Sequence, residues 1–320
     1  MRTSHAGAVT RRVALPALLV GLACLGLLVT ACGDDGANAG DGSLEVVAGA
    51  TFLADIAQNV AGDRFTVAAL IPRDTDLHAF EPTPRDLAEV ADADLIILNG
   101  GGLEEKLEEA VRSAGGDATI VEASAGLTPR TPQTGEPLHD SGGDADPHFW
   151  LDPTRVITYV ENIRDAFAAA DPDGAAEYEA NAAAYIDELK ALDAWIGNEV
   201  ARIPEADRRL VMNHVSHGYF ADRYGFRIVG AVIPSVATGA SPTAQQLAEL
   251  TAAIRAAGVK AIFVETDENP QLAQQIADET GVTVVDDLRD HSLSEPEGEA
   301  PTYIEMMKFD TRRIVEALAP

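Results

Sequence analysis

The stretch "FTVAALIPRDTDLHAFEPTPRDLAEVADADLIILN", residues 65–99, decides the fold. Phe65 to Ile71 is an apolar, β-branched run that predicts a strand, and "DLIILN" at 94–99 predicts another. Residues 84–91 between them have the pattern of a helix. Strand, helix and strand in that order form the unit of a parallel α/β sheet. The loop after the first strand carries His78, at the carboxyl end of a strand, where open α/β sheets hold their ligand-contacting groups.

The same reading extends in both directions. "LEVVAG" (44–49) and "ATIVEA" (118–123) add two strands, and helices are expected near 52–61 and 103–113. A second series follows with "RLVMN" (209–213), "FRIVGAVI" (226–233), "KAIFVE" (260–265) and "VTVVDD" (282–287). The two series echo one another: "FLADIA" (52–57) with "YFADRY" (219–224), "ALIP" (69–72) with "AVIP" (231–234), "TPRDLAEV" (83–90) with "SPTAQQLAEL" (241–250). The expected fold is therefore α/β, two similar lobes with largely parallel sheets.

Between the lobes, residues 153–204 are almost all helix formers, broken once at Asp171-Pro172-Asp173. After the break, apolar residues recur at Tyr178, Ala182, Tyr185, Leu189, Leu192, Ile196, Val200 and Ile203, spaced by three and four. One helix of about 30 residues, roughly 45 Å at 1.5 Å per residue, would join the lobes as a rigid strut. The expected boundaries are a first lobe over 44–153, a helical linker over 154–205 and a second lobe over 206–320.

Residues 1–31 carry three arginines and no acid, then the apolar run "VALPALLVGLACLGLLV" from Val13 to Val29, and read as a signal peptide. Val29-Thr30-Ala31-Cys32 has the form of a lipobox, which makes Cys32 the expected site of lipid attachment. The other cysteine, Cys24, lies in the segment to be removed, so no disulfide is expected in an exported chain. "GDDGANAGDGS" (33–43) reads as part of a flexible tether over 32–43 that holds the domain at the outer face of the cell membrane.

The chain has a net charge of −29, and loss of the three arginines with residues 1–31 makes it −32. That field excludes nucleic acid and anionic surfaces as partners and attracts cations. Membrane contact is expected through the lipid anchor alone, and the protein is expected to be a monomer.

The histidines lie at telling positions. His78 and His214 follow strands in separate lobes; His148 precedes Asp152, which can cap the next helix with Pro153 in its first turn; Asp290 and His291 follow the last strand. Two groups from each lobe can converge on one point between them. Three neutral imidazoles and a carboxylate suit Zn²⁺ and can also hold Mn²⁺.

These residues lie in "HAFEPTPRDLAEVADADLIILNGGGLE", "DPHFWLDP" and "NHVSHGYFADRYGF", which together with "SPTAQQLAEL" and "YIEMMKFDTRRIVEAL" resemble the zinc/manganese solute-binding lipoproteins of bacterial ABC importers, from about Leu44 to Leu318. The resemblance implies capture of a divalent metal between the lobes and its delivery to a permease with its ATPase. It implies His78, His148 and His214 as ligands, with an acidic fourth ligand that we take as Asp290, His291 being the alternative. His214 points to zinc, since manganese members more often have a carboxylate there, and manganese is the second expectation. His217 and His139 are expected to make at most outer contacts, His139 from a short acidic surface loop over 131–145. No enzymatic activity is expected. A zinc hydrolase is the main alternative of another class, with Glu81 or Glu265 as base, but the chain lacks an H-E-x-x-H motif and four protein ligands would leave no place for substrate. A surface adhesin is a further alternative without a motif of its own.

Overall fold

The computed structural model describes residues 44–114, 116–131, 133, 136 and 145–320. The expected signal peptide, the tether, Cys32 and His139 lie outside the described residues.

The first sheet contains β1 (Val46–Ala48), β2 (Val67–Ala69), β3 (Leu95–Leu98) and β4 (Thr119–Glu122), all parallel, in the order β2-β1-β3-β4. The second contains β5 (Arg209–Met212), β6 (Arg227–Ala231), β7 (Ala261–Glu265) and β8 (Thr283–Leu288), again all parallel, in the order β6-β5-β7-β8. The two orders are the same, as the sequence echo anticipates. Parallel strands need cover on both faces, which is why the central β3 and β7 are buried throughout, and apolar but for Glu265 at the end of β7, while the edge β2 is only partly buried.

The crossovers are α1 (Thr51–Ala61), α2 (Pro84–Asp92) and α3 (Glu105–Ala114) in the first lobe. The echo between lobes extends to the capping chemistry of α2. Thr83 accepts from the Asp86 amide while Asp86 accepts from the Thr83 amide, and in the second lobe Thr243 and Gln246 repeat this reciprocal pair.

Two helices join the lobes. Asp152 accepts from the Thr154 amide at 2.9 Å and starts α4 (Pro153–Ala170), and α5 (Ala175–Val200) follows the Asp171-Pro172 break. At 26 residues α5 spans about 39 Å, shorter than expected because the chain leaves the helix at Ala201. The seven buried positions of α5 are the expected apolar stripe from Tyr178 to Val200. The second lobe adds α6 (Gly218–Tyr224), α7 (Ala244–Ala257), α8 (Gln271–Thr280) and the closing α9 (Tyr303–Leu318).

Helix α5 packs on the other joining helix α4, on α1 from one lobe and on α9 from the other. One apolar core consequently runs from the first sheet through α4, α5 and α9 to the inner face of the second sheet, while a smaller core lies under α7 and α8. At its centre Trp150 is fully buried and stacks on Phe52, with ring centroids 4.5 Å apart. Polar ties follow the same seam. The loop after β2 meets the loop after β8 where the Asp74 amide donates to Ser292 Oγ at 2.8 Å and Arg289 pairs with Asp74 at 3.0 Å.

Candidate metal centre

Three loops at strand carboxyl ends and the segment entering a 3₁₀ turn bring four imidazoles together. His78 follows β2, His148 stands just before the 3₁₀ turn Phe149–Leu151, His214 follows β5, and His291 follows β8. Each residue offers a ring nitrogen within 4.8 Å of the others. The six distances between ring centroids run from 4.9 to 5.7 Å, so the rings stand at the corners of a nearly regular tetrahedron. A metal about 2.0–2.1 Å from each nitrogen would place tetrahedral ring centroids roughly 5.2 Å apart and neighbouring nitrogens roughly 3.3–3.4 Å apart. His148 Nε2 and His214 Nε2 are 3.3 Å apart.

Three of the rings have a carboxylate at the nitrogen that faces outward. His148 Nδ1 lies 2.9 Å from Asp146 Oδ1, His214 Nδ1 3.3 Å from Glu265 Oε1, and His291 Nδ1 3.5 Å from Asp267 Oδ2. At His148, the one of the three within hydrogen-bond reach, a proton held on Nδ1 by Asp146 leaves the lone pair on Nε2, the tautomer a metal needs. The arrangement also sets charge. Burial and the neighbouring imidazoles lower the pKa of His78 and His148, and burial brings His214 down to about 3, so these rings are neutral at pH 7. His291 is the exception: burial opposes its protonation, but the carboxylates of Asp290, Asp267 and Glu265 outweigh burial and raise its pKa. His78 Nε2 and both nitrogens of His291 are buried without a hydrogen-bond partner, and a cation among the rings would satisfy one nitrogen of each.

Asp290 is placed elsewhere. Its carboxylate groups with His217 and Glu265, all three residues being buried, whereas His291 joins the other imidazoles. The backbone explains the exchange of roles. Trp150 Nε1 donates to the Asp290 carbonyl at 2.6 Å, and the Arg289 amide donates to Asp310 Oδ1 on α9 at 2.8 Å. With the loop held at both residues, the imidazole reaches the other three rings, while the Asp290 carboxylate lies beside it, 4.0 Å from His291 Nδ1 and 3.5 Å from His217 Nδ1. His217 is 2% exposed and starts α6, with its Nδ1 2.8 Å from Ser216 Oγ. Glu81, one of the bases considered for a hydrolase, pairs on the surface with Lys106, and Glu265 stands behind His214.

Asp267 escaped the sequence reading. It lies just past "KAIFVE", at the carboxyl end of β7, so the rule that singles out His214 and His291 applies to it equally.

A pair of parallel-sheet lobes with a shared core and a buried donor cluster at their strand ends defines a binding protein for a metal ion. The chain belongs to the family described as zinc-uptake complex component A, periplasmic, which it matches over residues 46–317, and whose members are metal-binding components of ABC transporters. It is 34% identical over 297 residues to the manganese-binding lipoprotein MntA of Halalkalibacterium halodurans, covering 92% of this chain and 96% of that one. It is also 34% identical over 275 residues to the iron-binding protein YfeA of Yersinia pestis, covering 85% of each. Among solved structures, the periplasmic zinc binding protein TroA from Treponema pallidum superposes with a TM-score of 0.77 at 26% identity, over 86% of this chain and 99% of that one. Nothing in these relatives supports the hydrolase or adhesin readings.

Proposed function

We propose that this protein captures Zn(II) outside the cytoplasm with His78, His148, His214 and His291 as ligands and passes it to an ABC permease driven by its ATPase. The tetrahedral set of four imidazoles carries the reading. An all-nitrogen, four-coordinate cage suits zinc, whereas manganese is better served by carboxylate oxygens and a higher coordination number. Manganese is the second reading, favoured by the names of several relatives, including that of H. halodurans. On this proposal the protein has no catalytic role, since four protein donors leave no position for a substrate. Anchoring through a lipid on Cys32 fits the lipobox and the many relatives named lipoproteins. We take the protein to be a monomer, with residues 44–153, 154–205 and 206–320 as its two lobes and linker.

Elemental analysis of protein purified without added metal, followed by calorimetry against a competing chelator, tests the proposal. Zinc is expected at the imidazoles, and His148→Ala is expected to weaken binding by ~100-fold or more, since loss of even an orienting partner costs 10–100-fold. Unchanged zinc affinity in that variant would sink the assignment, and manganese in the purified protein with no zinc would favour the second reading. Growth of a deletion strain starved of either metal separates the two in the cell.

A further inference from the structure

Behind the four imidazoles, on the side of His214 away from them, lies a second and chemically different group. His217, Glu265 and Asp290 present donor atoms within 4.8 Å of one another, and their exposures are 2%, 1% and 0%. His217 Nδ1 and Asp290 Oδ2 are 3.5 Å apart, too far for a hydrogen bond and close to the spacing of two donors around one cation. Ser216 Oγ bridges the group, 2.8 Å from His217 Nδ1 and 3.3 Å from Glu265 Oε1.

The second observation concerns satisfaction of buried polar atoms. Both carboxyl oxygens of Asp290 and Oε2 of Glu265 are buried and have no hydrogen-bond partner. The imidazole nitrogens nearest to Asp290 are His217 Nδ1 at 3.5 Å and His291 Nδ1 at 4.0 Å, neither at ordinary hydrogen-bond length. Among the described residues, the side chains forming ion pairs with Glu265 and Asp290 are imidazoles, with no lysine or arginine among them. A group that places two carboxyls out of water in this way is satisfied by a cation.

We propose that His217, Glu265 and Asp290 form a second divalent-cation site, of one nitrogen and two carboxylates, with Mn(II) as the ion it fits best. The oxygen-rich donors distinguish it from the all-nitrogen cage, because carboxylate suits manganese and imidazole suits zinc. The two sites adjoin through His214, whose Nε2 faces His148 and whose Nδ1 faces Glu265. Two dications can share such a space: two-metal centres hold ions about 3.5–4 Å apart. Here the two carboxylates supply the negative charge that four neutral imidazoles lack. This site stands or falls separately from the four-imidazole one.

The test loads the full chain with one equivalent of zinc and titrates it with manganese. Bound manganese is followed by electron paramagnetic resonance, and both ions are located by anomalous diffraction at their absorption edges. One further ion is expected among His217, Glu265 and Asp290. His217→Phe, which keeps an aromatic ring in the buried space, is expected to abolish manganese binding without displacing zinc from the imidazoles. Asp290→Asn, nearly identical in shape, is expected to weaken the second ion at least ~10-fold. A wild type that binds no manganese among His217, Glu265 and Asp290 at millimolar manganese overturns the proposal, as does equal manganese binding by His217→Phe. Manganese at this group with no metal among the imidazoles would uphold the second site and refute the zinc cage.

Discussion

Asp146 does at residue scale what no histidine can do for itself. Its Oδ1 accepts from the His148 backbone amide at 3.0 Å and meets the ring Nδ1 at 2.9 Å, fixing both the position of the residue and its tautomer. Asp146→Ala is accordingly expected to weaken zinc binding by about 10–100-fold, and Asp146→Asn, which keeps an acceptor, by less. Chelator competition measures both, and equal affinities in wild type and Asp146→Ala would remove this aspartate from the account. Much of the site is readable from residue types and positions: His78, His148 and His214 each stand where a loop leaves a strand or enters a helix. The choice between Asp290 and His291 is not readable. It turns on which of two adjacent side chains faces inward, and that is set by Trp150 and Asp310, which are 140 and 20 residues away from Asp290 along the chain.

Elements were the most legible level, because buried parallel strands must be apolar runs and repeated lobes state their pattern twice. The run "DLIILN" could hardly be anything but β3. The end of α5 was less legible, since the apolar spacing continues to Ile203 after the helix has ended and the chain turns with that residue still buried. One contact between elements yields its own test. Asp55 on α1 accepts from the Tyr303 amide at the start of α9 at 2.9 Å, linking the lobes. Burial raises its carboxyl to about 6 from 3.8, although the bond from Tyr303 works in the other direction. Between these two values the folded chain holds a proton that the unfolded chain has lost, so stability falls as pH rises through that window, and the full penalty stands above it. Asp55→Asn keeps the acceptor and removes the charge. It is expected to raise the Tm by roughly 2–4 °C at pH 7.5 and to show little gain near pH 4, as measured by thermal denaturation. A gain of the same size at both values would mean that charge burial is not the cause.

For the whole molecule, loading with metal is also an acid–base reaction. The neighbouring carboxylates raise the pKa of His291 and so favour its protonated form, and a ligand must give up that proton. Burial raises the carboxyls of Glu265 and Asp146 to about 7, and a dication beside them favours their ionised forms. Each zinc bound at pH 7 is therefore expected to release at least one proton, and affinity is expected to fall as pH falls. Calorimetry in buffers of different ionisation enthalpy counts these protons directly; a count of zero would show that His291 is neutral before the metal arrives.

The unequal burial of the four imidazoles has a kinetic consequence. His148, His214 and His291 are at most 1% exposed, while His78 is only partly buried and lines a cleft of about 770 Å³ whose wall includes Glu105, Glu108 and Glu109. On the proposed function, His78 is the ligand that an incoming chelator meets first among the described residues, and exchange of the ion is expected to begin there.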